Sequence, residues 1–236
     1  MNNLPHEHIV KSYDEEQRRL AREILHMGEI AVAQLEAAMD VVDRRDDRAA
    51  ERIIANDEAI DTLEDKVSQD VMQLALRGPM ARDLREILAA LRIPTDLERI
   101  GDYAANVAKR SMVLNTLPPV PHATGLRTLG QLAVGLVRDA MEAYRGNDAA
   151  LAIQVRDRDA ELDAQYTALF RELLTYMMED ARNITPCTHL LFMAKNLERI
   201  GDHATNIAEN VWFLVQGDAP LPPRDKRDET PFTGAS

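Results

Sequence analysis

Cysteine is nearly absent: Cys187 is the only one in 236 residues. An intramolecular disulfide is therefore impossible, and zinc sites built on several cysteines are excluded. A lone thiol suits a reducing compartment, so a cytoplasmic setting is expected. Apolar runs are short. No stretch reaches the roughly 18 residues of a bilayer-spanning helix, and no direct membrane insertion is expected. The opening MNNLPHEHIVKSYDEE has no basic stretch followed by an apolar one, so it does not read as a secretory leader. Period-two alternation is missing over any useful length, so no sheet is expected. Positive charge is in deficit, with 28 Lys+Arg against 40 Asp+Glu and a net charge of −12. Binding to nucleic acid through phosphate neutralisation is thus excluded as a function class. An anionic membrane surface would also repel the chain. Glycine-rich phosphate loops and nucleophile elbows are lacking as well.

Ala, Leu, Arg, Asp and Glu dominate, while aromatics make up only 4%. These residues lose little rotamer freedom in a helix. Leu20, Ile24, Met27, Ala31, Leu35, Ala38 and Val42 step by three or four, the spacing of one buried helix face. Ile53, Ile60, Val67 and Leu74 mark a second helix that stops at Gly78-Pro79. A third runs from Ala81 to Leu114, with Leu84, Leu88, Leu91, Leu97, Ala104 and Ala108 on its apolar side. Three prolines between Asn115 and Pro121 then read as a linker. The pattern resumes with Leu126, Leu129, Ala133, Leu136 and Ala140 in a fourth helix and Leu162, Tyr166, Leu169 and Leu173 in a fifth. Leu190, Ala194, Leu197, Ala204, Ile207, Val211 and Leu214 mark a sixth, with Trp212 anchoring its end. The expected fold is all-α: two antiparallel three-helix bundles in tandem, each large enough for its own core. The divisions are an N-terminal arm over 1–14, a first bundle over 15–116, a Pro-rich linker over 117–122, a second bundle over 123–216 and a disordered tail over 217–236.

The halves repeat. Residues 96–110 read DLERIGDYAANVAKR and residues 196–210 read NLERIGDHATNIAEN, with nine of fifteen positions identical at an offset of 100. Arg82-Asp83-Leu84 likewise matches Arg182-Asn183-Ile184, and Asp61 corresponds to Asp163. A repeat of this kind points to duplication. Gly101 and Gly201 recur inside helices, where glycine costs roughly 1 kcal/mol against alanine, so close packing or a site is expected there.

Glu98, Asp102 and Asn106 share one helix face, as do Glu198, Asp202 and Asn206. Carboxylates four apart repel unless a cation lies between them. Counting back across the turn near Met80 brings Asp61, Glu64 and Asp65 beside Glu98 and Asp102; counting across the turn near Ala181 brings Asp163 beside Glu198. Each bundle should therefore gather three or more carboxylates, a donor set suited to Mg, Ca, Mn or iron. Salt bridges from Arg92, Arg99 and Arg199 are the plainer alternative. Pro94 opens a possible capping box at Pro94-Thr95-Asp96-Leu97-Glu98. The second copy keeps the acid without the proline, so Pro94 reads as a kink in a continuous helix.

Other candidates carry less. His203 follows Asp202, but its counterpart is Tyr103, so it reads as a surface histidine. Glu23 and His26 have a di-iron spacing without the second motif such sites need. Cys187 and His189 lack a second pair. Met27, Met39, Met72, Met177, Met178 and Met193 read as core filler.

The doubled Leu-Glu-Arg-Ile-Gly-Asp-x-Ala-x-Asn, at 97–106 and 197–206, resembles the signature of the PhoU family. Asp-x-x-Ile-Asp at 57–61 and Ala81-Arg82-Asp83-Leu84-Arg85 agree with it, and the resemblance spans roughly residues 15–215. It implies tandem three-helix bundles, usually dimeric. It further implies a cytoplasmic regulator of inorganic phosphate uptake that represses the phosphate-starvation response, placed peripherally at the inner face of the membrane through its partners. Those partners are the ATPase subunit of the phosphate ABC transporter and a phosphate-sensing histidine kinase. Multinuclear metal clusters are implied on the acidic motifs, with iron or another divalent cation (Mn, Zn, Mg or Ca) held by Glu98, Asp102, Glu198, Asp202, Asp61 and Asp163. The proline at 94 departs from the family pattern while leaving the motif intact. Two other readings remain: a carboxylate-metal hydrolase or oxidase, and a helical scaffold with solvated acids.

Overall fold

Aspartates that stop the chain from being helical too early set the first turns. Asp46 accepts a hydrogen bond from the Ala49 backbone N–H, and Asp148 accepts from those of Ala150 and Leu151. Both satisfy amide donors that the helix itself leaves unpaired. The residue before each cap, Arg45 or Asn147, takes a positive φ of 56° or 48°. The turn is thus duplicated along with the sequence. Arg45 also reaches the carbonyls of Leu114, Asn115 and Leu117 at 2.8–3.0 Å and so closes the end of the third helix.

The structure is a computed structural model that describes residues 4–77, 81–118, 124–217 and 219–221. Six helices are described: α1 (Leu4–Arg44), α2 (Asp47–Ala75), α3 (Ala81–Asn115), α4 (Thr124–Gly146), α5 (Ala149–Glu179) and α6 (Ile184–Gln216). A short 3₁₀ turn, Ala181–Asn183, precedes α6. Strands are absent among the described residues. The fold is all-α, as the periodicity requires. Helix α1 begins at Leu4, so from there on the segment read as an arm continues the first helix. The Gly78-Pro79 stop, most of the linker and the tail beyond Leu221 lie outside the described residues.

The expected apolar faces of α1, α2, α4, α5 and α6 are buried, with Val42 and Leu214 at their margins. Two expectations need correction. On the first half of α3, Leu84 is exposed and Leu88 and Leu91 are only partly covered, while Ile87, Ala90 and Ile93 are buried. Both sets satisfy helical spacing; the neighbours α1, α2 and α6 decide between them. Met72 and Met178 are also exposed rather than core filler, because they sit near the free ends of α2 and α5.

Each half is a three-helix unit, with α2 against α1 and α3, and α5 against α4 and α6. The halves do not keep separate cores. Helix α3 lies along α6 and α1 along α4, and one continuous apolar core runs through both. The α3–α6 pair is antiparallel: Asp96 meets Asn206, Tyr103 meets His203, and Arg110 lies over the Phe192 ring. Helix α3 runs on through Pro94, which is buried.

Candidate functional site

The two recurrent glycines bring α2 onto α3 and α5 onto α6. A Cβ on Gly101 would fall 2.8 Å from Ile60 Cδ1, and a Cβ on Gly201 would fall 2.7 Å from Asp159 Oδ1. Glycine at these crossings lets the acidic faces of the paired helices meet.

On the first seam, Asp57, Asp61 and Glu64 of α2 face Glu98 and Asp102 of α3. Burial pushes the Glu98 carboxyl above its ordinary range, and the charges of Asp102, Asp61 and Glu64 push the same way against Arg99. Asp57 is raised too, first by burial and then by Asp102 and Asp61, against a hydrogen bond from Gln34 and the charge of Lys109. That bond is 2.9 Å long, and the same amide nitrogen lies 3.3 Å from the Gly101 carbonyl oxygen. Arg99 braces the outer edge, 3.3 Å from Glu98 and 3.1 Å from Asp102. Glu98 is 21% exposed, and Asp61 and Asp65 lie at the surface.

The second seam is closed. Asp159 and Asp163 of α5 are buried, and Glu198 of α6 is 5% exposed. Asp202 stands at the edge. Burial raises the Glu198 carboxyl, Asp202 and Asp163 add to it, and Lys195 opposes them. Lys195 Nζ is 2.8 Å from Glu198 Oε1 and lies over the Tyr166 ring at 5.2 Å. Arg156 is buried on the same helix as Asp159, its Nε 3.6 Å from Glu209.

Both seams therefore assemble the acids expected of them: Glu98, Asp102 and Asp61 in one, Glu198, Asp202 and Asp163 in the other. Asp57 and Asp159 belong with them. The sequence reading includes Asp57 only through the family resemblance and does not include Asp159, although an offset of 102 aligns Asp57-x-x-x-Asp61 with Asp159-x-x-x-Asp163. Asn206 does not join its acids; it donates to Asp96 at 3.2 Å. His203 is corrected as well. It lies between the halves, 21% exposed, its Nδ1 2.8 Å from Asp96 Oδ1 and its ring against Tyr103. His26 is exposed as expected of a solvated face, but Glu23 is not: it is only 19% exposed and takes up Lys66 at 2.8 Å, so the two do not form a site together. A cavity of 450 Å³ between Leu20, Ile87 and Tyr144 lies apart from both clusters.

The donor chemistry fits a hard or borderline cation, since every donor is a carboxylate oxygen. Glu198 Oε2 is buried without a hydrogen-bond donor, and Glu98 is raised first by burial and then by its neighbouring acids. Among the described residues no three His, Cys, Asp or Glu side chains are grouped closely enough to hold a metal ion as they stand.

The PhoU domain matches residues 24–111 and 126–211, one copy in each half. A phosphate-specific transport system accessory protein PhoU homolog of Xylella fastidiosa is 71% identical over 230 residues, covering 98% of both chains. One from Caulobacter vibrioides is 47% identical, covering 94% of this chain and 97% of that one. The crystal structure of PhoU from Pseudomonas aeruginosa superposes with a TM-score of 0.85 at 34% identity, over 87% of this chain and 99% of that one. The phosphate transport system regulatory protein PhoU from Streptococcus pneumoniae gives 0.81 at 27% identity, over 89% of this chain and all of its own. The chain belongs to the PhoU family.

Proposed function

We propose that this PhoU-family chain is an accessory regulator of inorganic phosphate uptake that represses the phosphate-starvation response when phosphate is plentiful. The observation that carries this reading is its full-length similarity to phosphate transport accessory proteins, at 71% identity in one case. It works as an adaptor rather than an enzyme. One face meets the ATPase subunit of the phosphate ABC transporter, and another meets the phosphate-sensing histidine kinase. Among the described residues no helix is long and apolar enough to cross a membrane. We place the protein in the cytoplasm, as a homodimer, reaching the inner face of the membrane through these partners.

The carboxylate clusters are the part of this function that the seams support. Asp57, Asp61, Glu98 and Asp102 would hold a divalent cation on the first seam, and Asp159, Asp163, Glu198 and Asp202 are the corresponding acids on the second. A bound cation supplies a fixed positive charge able to accept an anionic group. The protein's own residues do the rest: Gln34 holds Asp57 in place, and Gly101 and Gly201 keep the seams closed enough for the acids to act together.

Deletion of the gene tests the regulatory role. Alkaline phosphatase, or another starvation-response output, should rise in phosphate-rich medium and return to its low level when the gene is restored. Unchanged output in the deletion strain overturns the proposed repression. Metal content that does not fall when Glu98, Asp102, Glu198 and Asp202 are all replaced by Ala overturns the cation assignment.

A further inference from the structure

The cavity of 450 Å³ lies where α4 and α6 end, with Tyr144 and Asn147 on one side, Leu214 on another, and walls from α1 and α3. The duplication supplies a second such gap where α1 and α3 end. It is lined by Val42, Arg45, Leu114 and Leu190 and holds only 120 Å³. The two gaps correspond residue by residue. Offsets of 102 and 100 align Val42 with Tyr144, Arg45 with Asn147, Leu114 with Leu214 and Leu190 with Ala90. In the smaller gap Arg45 is the plug: its guanidinium donates to the carbonyls of Leu114, Asn115 and Leu117 at 2.8–3.0 Å. Asn147 occupies the same positive-φ turn in the larger gap, and its side chain is too short to do this for the end of α6. Ala90 in place of Leu190 widens the floor.

Three helix C-termini meet at the larger cavity: Leu74 lies in the last turn of α2, Tyr144 in that of α4 and Leu214 in that of α6. Each such end carries roughly half a negative charge on carbonyls that the helix leaves unpaired. Neither α2 nor α6 has a basic residue in its last turn, and Arg145 of α4 is held by Glu142 at 2.7 Å and Glu29 at 3.4 Å. Glu86 adds a carboxylate to the lining. Burial, and then the Glu86 charge, push the Tyr144 phenol well above its ordinary range, so the ring stays neutral. Asp14 and Arg18 contribute one charge of each sign, both exposed. Gln17 Nε2 is buried there without an acceptor, and its amide can turn to present the oxygen to an incoming donor.

We propose that this cavity binds a small organic cation, a guanidinium or ammonium on an apolar stem, in the place that the Arg45 side chain takes in the other half. The head meets Glu86, the terminal carbonyls of α6 and the face of the Tyr144 ring, which attracts a cation. The stem lies against Leu20, Ile87 and Leu214. The site is apart from the acidic seams and stands independently of the function proposed above. An occupied cavity ties the end of α4 to α6, as Arg45 ties the end of α1 to α3. One half thus carries a fixed tie and the other a tie that depends on a ligand.

Calorimetric titration of the full-length protein with n-butylguanidinium, which carries the head and stem of an arginine side chain, tests the inference. A single saturable site is expected. n-Butylurea, the neutral counterpart, and pentanoate, of opposite charge, should bind more weakly by roughly tenfold or more, the scale of one charged hydrogen bond lost. Glu86→Gln should weaken the probe in the same direction. Asn147→Arg installs the plug at a turn whose counterpart Arg45 already takes a φ of 56°, and it should remove binding. Ala90→Leu installs the floor of the smaller gap and should do the same. Both variants should keep the helical circular dichroism of the parent. n-Butylurea binding as tightly as the probe overturns the cationic head. Binding that survives both Asn147→Arg and Ala90→Leu in folded protein overturns the assignment to this cavity. A parent that shows no saturable binding of the probe overturns the proposal outright.

Discussion

Met141 of α4 lies against Gly28 of α1, so that a Cβ on the glycine would fall 2.5 Å from the methionine Cε. The contact has a twin. A Cβ on Gly130 would fall 2.5 Å from Met39 Cε, and both residues of the second pair are offset by 102 from those of the first. Each half inserts a methionine into the other half's glycine, a packing that requires both halves at once.

Gly28→Leu should therefore loosen the joint between the halves. The atoms nearest the added side chain belong to Met141, and overpacking of this kind costs about 1–3 kcal/mol. Met141→Ala combined with Gly28→Leu should recover part of the loss. Urea denaturation of the two single variants and the double variant measures that coupling; strictly additive effects would show that the two residues do not share the space.

Gly201→Ala should destabilise more than Gly101→Ala. Each Cβ would meet a fully buried aliphatic side chain, Leu162 at Gly201 and Ile60 at Gly101, but the one on Gly201 also falls 2.7 Å from the buried Asp159, whereas the one on Gly101 stays 3.3 Å from the partly exposed Asp57. The helix-propensity gain of about 1 kcal/mol is the same at both positions. Thermal melts of the two variants should thus be ordered by what surrounds each glycine.

Glu198 should make stability fall as pH rises. Its carboxyl is raised in the folded protein, chiefly by burial, so the folded state binds the proton more tightly than the unfolded state does. The resulting stability is complete below the ordinary value of 4.5 and is lost as pH rises through the raised folded value. In EDTA, Glu198→Gln should therefore gain on the parent as pH rises through that window. Melting temperatures of the two proteins with parallel pH dependence would contradict this.

Asp96 ties α3 to α6 by accepting from Asn206 at 3.2 Å and pairing with His203 at 2.8 Å. Asp96→Ala should cost about 1–3 kcal/mol, because it leaves the partly buried His203 without its partner, whereas the exposed Asn206 can turn to water. His203→Tyr, the first half's residue, should lose the Nδ1 contact with Asp96 but keep the ring contact with Tyr103. Hydrogen exchange along α3 and α6 separates the two effects: the alanine variant should open the pair locally, the tyrosine variant much less.

Helical content, the duplication and the level of the acids were legible in the chain. Apolar steps of three and four mark a buried face without reference to any partner, and counting across a helical hairpin suffices to bring Asp61 to Glu98 and Asp163 to Glu198. The same arithmetic failed where a helix offers two apolar stripes. On α3 the leucines at 84, 88 and 91 compete with Ile87, Ala90 and Ile93, and periodicity has no means of choosing. His203 failed for a related reason: a polar residue next to a motif looks solvated until the facing helix supplies an acid.

The sequence by itself determined six helices in two related sets, because helix formation and amphipathic burial depend on near neighbours along the chain. Tertiary structure decided that the sets share one core, that methionines enter glycines across the joint, and that the two acidic seams differ. The last point turns on Lys195. Its charge could be read from the sequence, but whether it met solvent or a buried carboxylate depended on how α5 and α6 come together in space.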